Sequence, residues 1–198
     1  MTYRLLLIVA LLVAAFTAPS LGQISQGGER LLLVPDPSWQ MGSRQGNETM
    51  SMVEYVPGGE TVQNWSRKLM VQVFPNDKTS LADWVESFRF SFPARWNCDG
   101  KQLIRSLSGW TNGYQWMRLI AVCNRSLAHN SGEFSLLQFM RGRDNIYVVQ
   151  RAWRGPAFAQ NVAPVPPEEF QEWVAFMDKV SLCDSRYREH PCPAEAAQ

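Results

Sequence analysis

The sequence predicts an α+β fold: a mainly antiparallel β-sheet flanked by two helices, in a single domain. Three observations predict it. Alternating stretches recur between turn signals in the order strands, helix, four strands in hairpin succession, helix. Two other windows repeat apolar residues at helical spacing behind helix start signals. The later strands are apolar on both faces, so the sheet needs cover on both sides or burial of one face under loops.

The chain opens "MTYRLLLIVALLVAAFTAPSLGQ", where Arg4 gives a positive start and Leu5 to Phe16 an unbroken run of twelve apolar residues. Such a run is shorter than the roughly 17–25 residues of a membrane-spanning helix. Residues 1–22 therefore read as a signal peptide cleaved after Gly22. Residues 23–182 read as the domain and 183–198 as a polar, disulfide-closed C-terminal tail. Cleavage removes Arg4, so 19 − 1 = 18 Lys and Arg face 18 Asp and Glu, and the mature net charge is near zero. That excludes a general nucleic-acid binder, which needs surplus cations against phosphate. No transmembrane segment is expected in the mature chain.

After a polar lead-in, Leu31 to Val34 is a short strand candidate, closed by Pro35-Asp36-Pro37. Met50 to Val56 alternates as a strand. "EYVPGGETVQNW" follows. No Lys follows the glycines and Glu60 would repel phosphate, so this is a turn and not a phosphate loop. Pro57 suits its first central position, and Gly58 is expected to carry the positive φ of a type II turn. Thr61 to Trp65 then forms a brief helical turn, and Lys68 to Phe74 resumes a strand. Ser80 caps a helix with Leu81, Trp84, Val85 and Phe88 on one face, which Pro93 stops or kinks. Leu103 to Leu107, Tyr114 to Cys123, Phe134 to Met140 and Ile146 to Trp153 are the four later strands, and Asn112-Gly113 is a strong hairpin signal. Pro167 with Glu168-Glu169 starts the last helix, whose stripe is Phe170, Trp173, Val174, Met177 and Val180, ending near Leu182.

Cys98, Cys123, Cys183 and Cys192 are an even set in an exported chain, and the favoured pairing is Cys98–Cys123 with Cys183–Cys192. Cys183, His190 and Cys192 could instead ligate a metal with Asp184 or Glu189, but the spacing fits no familiar zinc pattern. The sequence calls for no cofactor and no metal. His129 and His190 lie in polar loops, no nucleophile elbow occurs, and no catalytic residue is assigned. Glu54 with Glu60, or Asp83 with Glu86, are the formal carboxylate pairs for glycan hydrolysis. Trp110, Tyr114 and Trp116, beside Arg118 and Arg151, are the candidate binding residues, because exposed aromatics and Arg dominate binding patches. Core filling is the competing reading of the same side chains.

The segment "EYVPGGETVQNW" followed by "LMVQVF" resembles one in uncharacterised small exported proteins of Gram-negative bacteria. The element order is, more loosely, similar to the Mog1/PsbP-like fold. That resemblance implies a curved antiparallel sheet flanked by helices and a non-catalytic binding or accessory role. The expected function is an exported, non-enzymatic binding or accessory protein of the cell envelope, periplasmic or secreted, with a protein or glycan partner. The alternatives are a carboxylate-dependent hydrolase acting on cell-wall or other glycan, and a structural factor of envelope stress or virulence.

Overall fold

The computed structural model describes residues 25–26, 28–76, 78–95 and 97–193; the leader read from residues 1–22 lies outside them. The class is α+β, with antiparallel sheets and two helices. The strands are β1 (Ser25–Gln26), β2 (Glu29–Leu32), β3 (Trp39–Gly46), β4 (Ser51–Pro57) and β5 (Arg67–Pro75), followed by helix α1 (Leu81–Arg95). Then come β6 (Cys98–Thr111), β7 (Tyr114–Ser126), β8 (Ser131–Arg141) and β9 (Asn145–Pro156), helix α2 (Pro167–Lys179) and β10 (Ser181–Asp184). Seven strands form the main sheet in the order β3-β4-β5-β9-β8-β7-β6, and β1-β2-β10 form a small second sheet.

Side-chain alternation divides the main sheet into two cores. Leu69, Val71 and Val73 of β5, Tyr147 and Val149 of β9, Leu136 and Met140 of β8, and Tyr114 and Val122 of β7 face α2, which buries Trp173 and Met177 against them. Leu31 and Leu182 of the small sheet extend that cover. The opposite face presents Met117, Leu119 and Ala121 of β7, Leu137 and Phe139 of β8 and Val148 of β9, packed under Leu81 and Val85 of α1. Both faces of β7 are therefore buried, as its sequence requires.

Local chemistry fixes the element ends. The Ser80 hydroxyl accepts the Asp83 N–H at 3.1 Å and donates to its carboxylate at 2.6 Å, capping α1. The helix runs past Pro93 and ends two residues later, at Arg95. At the β6–β7 turn Asn112 and Gly113 have φ of 48° and 77°, the left-handed pair of a two-residue hairpin. The Asn112 amide also donates to the carbonyls of Leu182 and Pro191 at 2.8 and 3.1 Å, tying the C-terminal segment to the hairpin. The cysteines are joined Cys98–Cys123 and Cys183–Cys192.

Three local expectations are corrected. After β4 the turn is shifted by one residue: the Glu60 N–H reaches the Pro57 carbonyl at 3.0 Å, and Gly59, not Gly58, holds the positive φ of 87°. Residues 61–64 form no helical turn but a loop closed by reciprocal backbone bonds of 3.1 Å between Thr61 and Asn64. Glu60 closes the larger loop, accepting the Ser66 N–H and hydroxyl at 2.7 and 2.6 Å. The last helix ends at Lys179, and residues 181–184 instead pair with β2 as β10.

Candidate functional site

Among the described side chains, α1 covers one end of its face of the main sheet, through Leu81, Val85 and Phe88. Beyond Phe88 of α1 the inward positions of β5, β9 and β8 turn polar: Lys68 and Gln72, Gln150 and Arg154, and Glu133. Together with Met70, Leu137 and the Cys98–Cys123 disulfide they line a cleft of about 410 Å³, with Ser126 and His129 at its rim. It is amphipathic. Met70, Phe88 and Leu137 contribute apolar surface, and Lys68, Glu133 and Arg154 contribute charged groups.

Those charges hold each other. Lys68 Nζ lies 2.8 Å from Glu54 Oε1, and the Arg154 guanidinium reaches Glu133 Oε1 at 2.7 Å. Both cations also lie against Trp65, 4.5 and 4.2 Å from its ring centre, where the π face attracts them. Gln150 donates to the Ser135 hydroxyl at 2.8 Å. The result is a preset, nearly neutral array of hydrogen-bonding groups beside apolar surface, which suits recognition of one end of an amphiphilic molecule.

The five residues proposed from sequence fall into two places. Trp110, 70% exposed, and Tyr114, 3% exposed, border a cleft at the β6–β7 hairpin end. Tyr114 packs its ring against His190 with centroids 4.2 Å apart. Trp116, Arg118 and Arg151 lie on the α2 side. Buried Arg118 sits 4.6 Å over Trp116, donates to Gln138 at 2.6 Å and pairs with Asp178 of α2 at 2.7 Å. Arg151 packs on Trp39 and Phe176, 4.5 and 5.1 Å from their ring centres, and burial holds its pKa below the ordinary value. The formal carboxylate pairs are divided among separate tasks: Glu54 meets Lys68, Glu60 meets Ser66, Asp83 caps α1, and Glu86 meets Arg89.

Among the described residues one carboxylate group approaches metal-site geometry: Glu29, Asp144 and Asp184 place ligand oxygens within 4.8 Å of one another. Their acceptors are already engaged. Arg186 bridges Asp184 and Asp144 at 2.6 and 2.5 Å, taking the place of a cation. Glu29 accepts the Arg143 N–H at 2.5 Å and the Tyr147 hydroxyl at 3.1 Å. Burial raises the Glu29 pKa, partly offset by those hydrogen bonds, whereas the Arg186 hydrogen bonds lower that of Asp184. The cluster is a lock between β2, the β8–β9 turn and β10.

Sequence reasoning missed the cleft. Its signal was present: "KLMVQVF" places Lys68, Met70 and Gln72 on one face against Leu69, Val71 and Val73 on the other, and Gln150 and Arg154 repeat the pattern in β9.

No family model matches the chain, and no curated protein matches it either. Among solved structures the chain is similar to LpqN, a protein involved in cell envelope biogenesis of Mycobacterium tuberculosis, with TM-score 0.41 and 10% identity over 80% of this chain and 86% of that one.

Proposed function

We propose that the chain is an exported, non-enzymatic binding or accessory protein of the cell envelope, folded as a single domain, whose ligand occupies the α1-side cleft. One observation carries this reading: the α1-side cleft, where apolar side chains meet a fixed polar array. The ligand class that fits is an amphiphile. Its apolar part lies along Met70, Phe88 and Leu137, and its polar end meets Lys68, Gln150 and Arg154. Two disulfides support residence in an oxidising compartment outside the cytosol. The proposed kinship with exported accessory proteins of Mog1/PsbP-like fold agrees with such a role.

The position of the acids supports binding over hydrolysis. Glu54 on β4 and Glu133 on β8 lie three strand spacings apart, about 14 Å between strand axes. Each is also committed to its own cation. The test is calorimetric titration of the mature protein with decyl maltoside below its micelle concentration, with maltose as the headgroup control. Saturable one-to-one binding of decyl maltoside, lost in Met70→Arg, is the expected result. Binding unaffected by that substitution removes the cleft from the account. Release of reducing ends from chitin or peptidoglycan fragments would install the hydrolase reading in its place.

A further inference from the structure

A second cleft, of about 460 Å³, lies at the β6–β7 hairpin end, bordered by the β8–β9 turn and the segment that follows β5. Its described lining differs in charge from the first: Lys78, Arg141 and Arg143 contribute cations and no lining residue is an acid. Trp110 stands at its edge, and nothing in the packing of the core explains an indole that is 70% exposed.

The backbone that carries these cations is held in place. The Asn76 amide donates to the carbonyls of Gly142 and Arg143 at 3.0 and 3.2 Å, and its oxygen accepts the Lys78 N–H at 3.0 Å. Asn76 is thereby stapled to the β8–β9 turn and braces the Lys78 backbone. Lys78 itself adopts φ of 70°, a left-handed conformation that a lysine keeps only where its surroundings impose it. Across the cleft the Arg141 guanidinium donates to the Lys78 carbonyl at 3.2 Å, which orients it and leaves its other N–H groups available. Arg143 is already engaged, stacked 3.9 Å from the Tyr187 ring centre and paired with Glu189 at 3.1 Å. The two cations left to meet a ligand are therefore Lys78 and Arg141.

We propose that this cleft is a separate binding site for an acidic sugar, with the ring against Trp110 and the acid group between Lys78 and Arg141. An aromatic face holds a sugar ring through its apolar C–H side, while a paired ammonium and guanidinium select a carboxylate or phosphate by charge-assisted hydrogen bonds. The acid group is the shared chemistry of uronates and sugar phosphates. The site is independent of the α1-side cleft, which involves none of these side chains.

The experiment is a calorimetric titration of the mature protein and each variant, with glucuronate, glucose 6-phosphate, glucose and inorganic phosphate as separate probes. Saturable binding of an acidic sugar is expected, at least about tenfold tighter than glucose or phosphate alone and weakened by salt. Glucuronate and glucose 6-phosphate decide between the two acid groups. Lys78→Ala with Arg141→Gln should reduce affinity about tenfold or more, and Trp110→Ala about fivefold. Trp110 is exposed, so that variant stays folded and its melting curve verifies this. Phosphate binding as tight as the sugar phosphate, affinity unchanged in Trp110→Ala, or no saturable binding of either acidic sugar would each overturn the proposal.

Discussion

The two faces of the main sheet are written by the same strands and finished differently. On the α2 side Leu69, Val71 and Val73 of β5 and Tyr147 and Val149 of β9 form a continuous apolar stripe, Arg151 stacks on Trp39, and α2 with the small sheet closes them. Even its buried cation, Arg118, is spent on Gln138 and Asp178. On the α1 side the apolar pattern gives way midway along β5 and β9 to polar residues that line a cleft. A polar side chain at an inward sheet position costs free energy unless it is paired. Here Lys68, Arg154, Glu54 and Glu133 are all paired, so the polar half of the face is organised. The difference teaches that one face is built for stability, while the other holds the polar cleft to which we assign binding.

That division is open to test, beginning where the effect is greatest. Trp173→Ala removes the largest fully buried side chain of the α2 side and should cost about 3–5 kcal/mol in denaturant unfolding. Gln150→Ala, at the polar half of the other face, gives up one side-chain hydrogen bond. It leaves the buried Ser135 hydroxyl without that donor and should cost about 1–3 kcal/mol, while weakening the amphiphile measurably. Equal losses from the two substitutions would break the comparison.

A pH measurement sharpens it from the α2 side, where Glu29 is sealed beneath the small sheet. Its folded pKa is raised above the ordinary 4.5, chiefly by burial, so the folded protein binds this proton more tightly than the unfolded chain. The contribution of Glu29 to stability is therefore greatest below that ordinary value and declines as pH rises through the folded pKa. Asp184 has the opposite sign: its pKa lies below 3.8, and its contribution is lost as pH falls through the lowered value. Unfolding free energy of the native chain should fall with pH just above 4.5 more steeply than that of Glu29→Gln, with the acid limb common to both. Parallel profiles above that pH would contradict the assignment.

Much of the fold was legible because hydrophobic period and turn chemistry coincide. Asn112-Gly113 marked its hairpin, Ser80 its helix, and the two apolar faces of β7 demanded two helices. β3 was illegible. "WQMGSRQG" is an edge strand with no continuous apolar face, and its register shifts between Met41 and Ser43. An added Cβ at Gly42 would lie 2.8 Å from a methyl of Val62, so the glycine serves a close approach that no local pattern announces. β10 was hidden by the apolar stripe of α2, which runs on through Val180 and Leu182 although the helix has ended. The aromatic cluster was legible as residues but not as a place. Trp116, Arg118 and Arg151 sit against α2, a partition that depends on strand order. The cleft needed β4, β5, β9 and β8 to be set side by side, and that order is non-sequential.

The most direct test of the central claim is a map of amide chemical-shift changes on adding decyl maltoside to the mature protein below the micelle concentration. The account predicts saturable changes concentrated at Met70, Gln72, Phe88, Leu137 and Gln150, with the α2 face quiet. Changes centred on α2, or spread without saturation over both faces, would contradict it.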